Sequence, residues 1–218
     1  MNENDLSLLA GAAARWDLLA RALPAATRES LARHLRATRS EPGSEARARA
    51  VAAAAGLLRP LLVREEGRLG APPAASGFTL DDLAVLVLDG HRMVGPVLSA
   101  VRERLLAEPA LDEAVVAARG GDPRLPALIR LPGPGGLRRL PLFQFEPEAA
   151  DRVGATPRPR VLAVAVHLDV VDDPWGAADW WLSPNAWLGG VRPAALLGRA
   201  DEARVDEAAR CLNDPEGE

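Results

Sequence analysis

Side chains able to do covalent or acid–base chemistry are few and scattered in this chain of 218 residues. The three histidines, His34, His91 and His167, stand alone, and the one cysteine, Cys211, has no histidine near it in sequence. No GxSxG elbow, no P-loop and no pair of histidines at metal-ligand spacing occurs. Gly133-Pro134-Gly135-Gly136 is rich in glycine, but proline removes a backbone amide that a phosphate cradle would need. The expectation is no catalytic residue, no metal and no cofactor. An enzyme is therefore the weakest of the function classes.

Two groups of side chains suit recognition instead. Residues 124–160 hold seven arginines against three acids. Arg124, Arg130, Arg138 and Arg139 in this segment are candidates for phosphate contacts, which position a protein on DNA without reading sequence. A charged, solvated strand edge accounts for the same residues equally well. The second group is aromatic. Four of the five tryptophans lie at 175, 180, 181 and 187. Neighbouring Trp180 and Trp181 point about 100° apart on a helix, so one packs inside and the other is left as an interface anchor. Trp181 is the expected core residue.

These groups need elements to hold them. Leu6, Leu9, Ala13, Trp16 and Ala20 recur at helical spacing after Asp5, the expected N-cap, and Pro24 ends the helix. A second helix is expected over about 27–39 on Leu31 and Leu35. Glu41-Pro42-Gly43-Ser44 reads as a turn, with Ser44 capping a third helix that Pro60 kinks or ends. Residues 71–77 form a linker. Thr79 with Asp82 makes a capping box for a short helix to Leu88. Further helices follow over about 93–106, with Val94, Leu98, Val101 and Leu105 as one face, and over 111–119.

Three short helices in a row allow a degenerate helix-turn-helix, although the segment expected in the groove offers few base-reading side chains beyond Arg119 and Arg124. Runs 125–131 and 137–145 around the Gly/Pro turn read as a β-hairpin with Arg130, Arg138 and Arg139 along one edge. Helix resumes at about Arg160, with Val161, Val164, Ala165 and Leu168 on one side and His167 beside them. Asp173-Pro174 starts the tryptophan helix, which Ser183-Pro184 ends. Asn185 suits a turn acceptor and Gly189-Gly190 suit positive φ. Another helix starts at Pro193, and the last spans about 202–212.

The expected fold is mainly α, with a short β-hairpin between an N-terminal helical region and a C-terminal helical domain. Its parts are a helical or dimerisation region over 1–70, the possible helix-turn-helix with hairpin over 78–145, and a final domain over 146–218. Composition agrees with a folded chain: hydrophobic residues make up 48% and charged residues 26%. There are 42 alanines and 26 arginines but no lysine or tyrosine, a bias that resembles the codon usage of a GC-rich genome. Arginine excess alone is therefore no sign of nucleic acid. No apolar run reaches the roughly 18 residues of a membrane span. The start lacks a secretory signal, and the single cysteine fits a reducing compartment, so a cytoplasmic location is expected.

The string Asp173-Pro174-Trp175-Gly176-Ala177-Ala178-Asp179-Trp180-Trp181-Leu182-Ser183-Pro184-Asn185-Ala186-Trp187-Leu188-Gly189-Gly190, with Pro193, Leu196 and Leu197, resembles the toxin-binding domain of Xre/MbcA/ParS antitoxins. The resemblance covers about 140–212, including the run Leu140–Phe145. It implies a type II antitoxin that lays this domain against a RES-type toxin, an enzyme that degrades NAD. Trp180, Trp181, Leu182, Pro184, Asn185, Leu188, Gly189, Gly190, Pro193, Leu196 and Leu197 occupy its motif positions. Such antitoxins are commonly dimeric or part of larger hetero-oligomers, and often repress their own operon by binding operator DNA. The chain end is implied to obstruct the toxin's cleft, which makes Asp214, Glu216 and Glu218 the occluding residues. Net charge −7 over 161–218 suits that role. A DNA-binding regulator with no toxin partner is the alternative.

Overall fold

The computed structural model describes residues 2–40, 45–69, 77–149 and 152–212. The fold is mainly α-helical with two small antiparallel sheets. The chain divides into two compact units, one of residues 1–101 with 134–136, the other of 102–133 with 137–218. The expected segment 78–145 is thus shared between them, and residues 78–101 join the helices of the first seventy.

In the first unit, α1 (Glu3–Ala14) is capped by Asn2, whose side chain accepts the Asn4 amide, rather than by Asp5. Asp5 lies inside the helix and pairs with Arg59 at 2.7 Å. In the first turn the Asp5 carboxylate also faces the positive end of the helix dipole. The first helix also breaks at Arg15, so Trp16 begins a separate α2 (Trp16–Ala22). Helix α3 (Ala25–Ser40) buries Leu31 and Leu35 as its spacing predicts. Helix α4 (Glu45–Leu69) runs through Pro60 instead of ending there. Pro60 and Gly56 are both exposed, so the carbonyl that loses its amide donor faces water. The expected turn 41–44 lies outside the described residues, as does 71–76 of the linker.

The capping box at Thr79 and Asp82 forms in both directions and starts α5 (Leu80–Ala84). A π-helical turn over Val85–Asp89 follows and closes at Gly90, which has φ +71°. Leu80, Leu83 and Ala84 share one core with Leu9, Ala12, Leu31, Leu35 and Leu58. The Asp89 side chain is 3% exposed and binds the Arg39 guanidinium through both oxygens. The same carboxylate accepts the amide of Gly135 at 3.2 Å. Helix α6 (Gly95–Ala107) supplies residues to both units. Of its expected apolar face, Leu105 is buried but Leu98 is exposed.

In the second unit, β1 (Ala110–Asp112) precedes α7 (Glu113–Ala118), so the helix expected from Leu111 starts later. Strand β3 (Arg138–Pro141) lies between β1 and β2 (Leu131–Pro132). The hairpin is real but short. Its first run does not continue back to Leu125, because Gln144 takes the backbone of Ile129. Gln144 Oε1 accepts the Ile129 amide at 2.7 Å, and Nε2 donates to the Ile129 carbonyl at 3.1 Å and to that of Pro141 at 3.3 Å. A side-chain amide here imitates the peptide group of a neighbouring strand. The second run is interrupted by a 3₁₀ turn over Leu142–Gln144.

A second hairpin, absent from the sequence expectations, pairs β4 (Phe145–Ala149) with β5 (Arg152–Pro157). Val116, Leu128, Leu140, Phe145 and Ala155 make the core under both sheets. Then come α8 (Pro159–Val164), α9 (Pro174–Leu182) and α10 (Ala203–Arg210). The run from Pro193 forms a 3₁₀ turn to Leu196 rather than an α-helix.

Candidate protein-interaction site

Helix α9 is built as its sequence requires. Asp173 Oδ1 accepts the Gly176 amide at 2.8 Å, and Pro174 occupies the first turn. A Cβ at position 176 would lie 2.1 Å from Asp173 Oδ2, so glycine is needed for the cap to close. Trp175, Ala178, Trp181 and Leu182 face inward. Trp181 is 1% exposed and lies 5.3 Å from the Phe143 ring. Trp180 stands edge-on to Trp181, with centroids 5.2 Å apart, and is half-buried with its indole nitrogen enclosed. It is therefore not the free aromatic surface that the helical spacing implies. Ser183 ends the helix by hydrogen-bonding Asp179 through its hydroxyl, and Arg104 pairs with the same carboxylate.

The loop beyond α9 is closed on itself. Asn185 Oδ1 accepts the Trp187 amide at 2.9 Å, and the Asn185 carbonyl accepts those of Leu188 and Gly190. The Asn185 amide donates to Val191, which closes an isolated antiparallel bridge. Gly189 and Gly190 have φ of +67° and +82°, a conformation that side-chain-bearing residues rarely adopt. Leu188 is buried below the loop, where the turn packs against α10. Trp187 projects away and is 66% exposed, with exposed Val191 in the same loop.

The expected motif residues therefore separate by location. Trp181, Leu182, Leu188, Pro193 and Leu196 are buried and hold the loop, while Trp180, Asn185 and Leu197 are half-buried. Pro184, Gly189 and Gly190 are exposed. Trp187 belongs to the same string but was not among the expected contacts. Its signal is the turn chemistry around it, since a rigid turn without an inward stripe leaves an aromatic residue outside. Asp214, Glu216 and Glu218 lie outside the described residues.

The arginines do not form the expected edge. Arg139 pairs with Leu131 and Arg138 with Pro132 in the ladder, so these neighbours point to opposite sheet faces. Arg139 also donates to the Leu106 carbonyl and packs its stem over Gly133. Arg130 is half-buried ahead of β2, leaving Arg124 and Arg138 exposed.

Among the described residues no group of His, Cys, Asp and Glu could hold a metal ion, and no helix is long and apolar enough to cross a membrane. One carboxyl is clearly tuned. Burial opposes the charge of Asp82, but hydrogen bonds from Ser99, Thr79 and Gly95 together outweigh it and hold its pKa below the usual value. This group serves the helix cap. No family model, curated protein or solved structure matches the chain.

Proposed function

We propose that this chain is the antitoxin of a type II toxin–antitoxin pair, and that residues 146–218 bind and obstruct a RES-type toxin that degrades NAD. The observation that carries the reading is Trp187, largely exposed on a loop already fixed by its own hydrogen bonds. A rigid exposed indole binds with little further loss of conformational freedom, which is the property of an interface hot spot. The motif spacing from Trp181 to Leu197 supports the family of the partner. Net charge −7 over 161–218 supports its electrostatics, because an enzyme that holds a pyrophosphate needs an electropositive cleft.

The test is co-expression with the product of the adjacent gene, and pull-down with Trp187→Ala and Leu188→Ala variants. The expected result is growth rescue by the native chain. Trp187→Ala should weaken binding by about 2 kcal/mol, roughly thirtyfold, with an unchanged circular dichroism spectrum. Leu188→Ala should weaken it through loss of the loop's anchor, with a lowered melting temperature. A neighbour that neither binds nor harms the cell would refute the antitoxin reading. Salt-dependent DNA binding would then point to the regulator.

A further inference from the structure

The break between α1 and α2 opens a groove in the first unit that the antitoxin reading does not use. Two adjoining hollows, about 280 and 350 Å³, share Trp16, Asp17, Leu86 and Arg92. Taken together the two hollows reach the size of small-molecule sites, with polar groups set among apolar ones. The apolar residues of the lining are Trp16, Leu86, Phe78 and Val94. Three arginines, 15, 21 and 92, meet one carboxylate, Asp17, around them.

Of the cations, Arg21 and Arg92 are exposed. Arg92 holds Asp17 through both terminal nitrogens, at 2.8 and 3.1 Å, but the two side chains are 79% and 60% exposed, so water competes for both. Arg21 makes no ion pair among the described residues. His91 also lines the hollow, its Nδ1 accepting the Met93 amide at 3.3 Å. The loop carrying His91 and Arg92 is set by Gly90, whose amide bonds the Val85 carbonyl across the π-helical turn.

We infer that this groove binds a planar aromatic anion, its ring against Trp16 and Leu86 and its charge on Arg21 and Arg92. An aromatic carboxylate and a nucleoside monophosphate share this chemistry. Both place an acid beside a flat apolar ring, and arginine suits either group. Asp17 is then a gate on affinity, because an incoming anion must take Arg92 from it.

The experiment titrates the full chain by calorimetry with indole-3-carboxylate and with AMP, using indole and adenosine as neutral controls. Amide chemical shifts at 13–21 and 86–94 locate the site. Saturable binding of one acid, weakened about fivefold by Arg92→Gln and tightened by Asp17→Asn, is the expected result. The acid that binds identifies the source of the ligand. Both substitutions are at exposed side chains, so an unchanged melting temperature separates binding from folding. Failure of both acids to saturate, equal binding of their neutral analogues, or indifference to Arg92→Gln would overturn the assignment.

Discussion

Replacing Gln144 tests whether one side chain stands in for a missing strand. The residue is fully buried, and its amide makes three hydrogen bonds, two to the backbone of Ile129 and one to the Pro141 carbonyl. In Gln144→Leu the shape is roughly kept while one backbone donor and two acceptors lose their partner. At about 1 kcal/mol net per bond the cost is about 3 kcal/mol. For a chain of this size that corresponds to a melting temperature lower by roughly 6–12 °C. Gln144→Glu is the sharper control, since it sets an oxygen against two carbonyls and should cost more than leucine. Near-ultraviolet circular dichroism is the assay, because the Phe143–Trp181 contact lies one residue away. A Gln144→Leu melting temperature within about 2 °C of the native chain, or about 0.5–1 kcal/mol, would refute the strand-substitute reasoning.

Two further outcomes are expected, the first from the geometry and the second from the antitoxin proposal. Because the folded pKa of Asp82 is lowered, its stabilisation is fully present above the unfolded value near 3.8 and is lost as pH falls toward the folded value. Acid unfolding of the first unit should therefore steepen below about pH 4, and Asp82→Asn should flatten it; equal acid profiles would contradict the cap. Deleting 213–218 should leave toxin binding through Trp187 but relieve inhibition of NAD breakdown, as read in a turnover assay. Undiminished inhibition would reject occlusion by the tail.

Features governed by neighbours a few residues apart were legible in the sequence. The capping box at Thr79, the Leu31/Leu35 stripe, the Asp173-Pro174 start and the Asn185 and Gly189-Gly190 turn all form as their local chemistry dictates. Features decided by distant partners were not. Asn2 rather than Asp5 caps α1, and Asp5 meets Arg59, which comes from α4. Gln144 reads as one more residue in an apolar run, and nothing near it announces Ile129 as its partner. The β4–β5 hairpin is hard to see because Pro147 lacks an amide and the pairing register shifts on either side of it. The tryptophan cluster was visible as a cluster, but helical spacing nominated Trp180, while the exposed ring belongs to the turn that follows.

The carboxylate of Asp89 also has a consequence in time. Residues 134–136 belong with the first unit, and the Gly135 amide is one of the donors that Asp89 accepts. A ribosome delivers the chain from its N-terminus, and domains generally fold as they emerge. The first unit therefore cannot complete its bonding when residue 101 appears. It waits for a glycine 34 positions later, after the opening stretch of the second unit has already been made. The two units are not beads finished one after the other, and a chain cut between 101 and 134 leaves Asp89 with Arg39 alone.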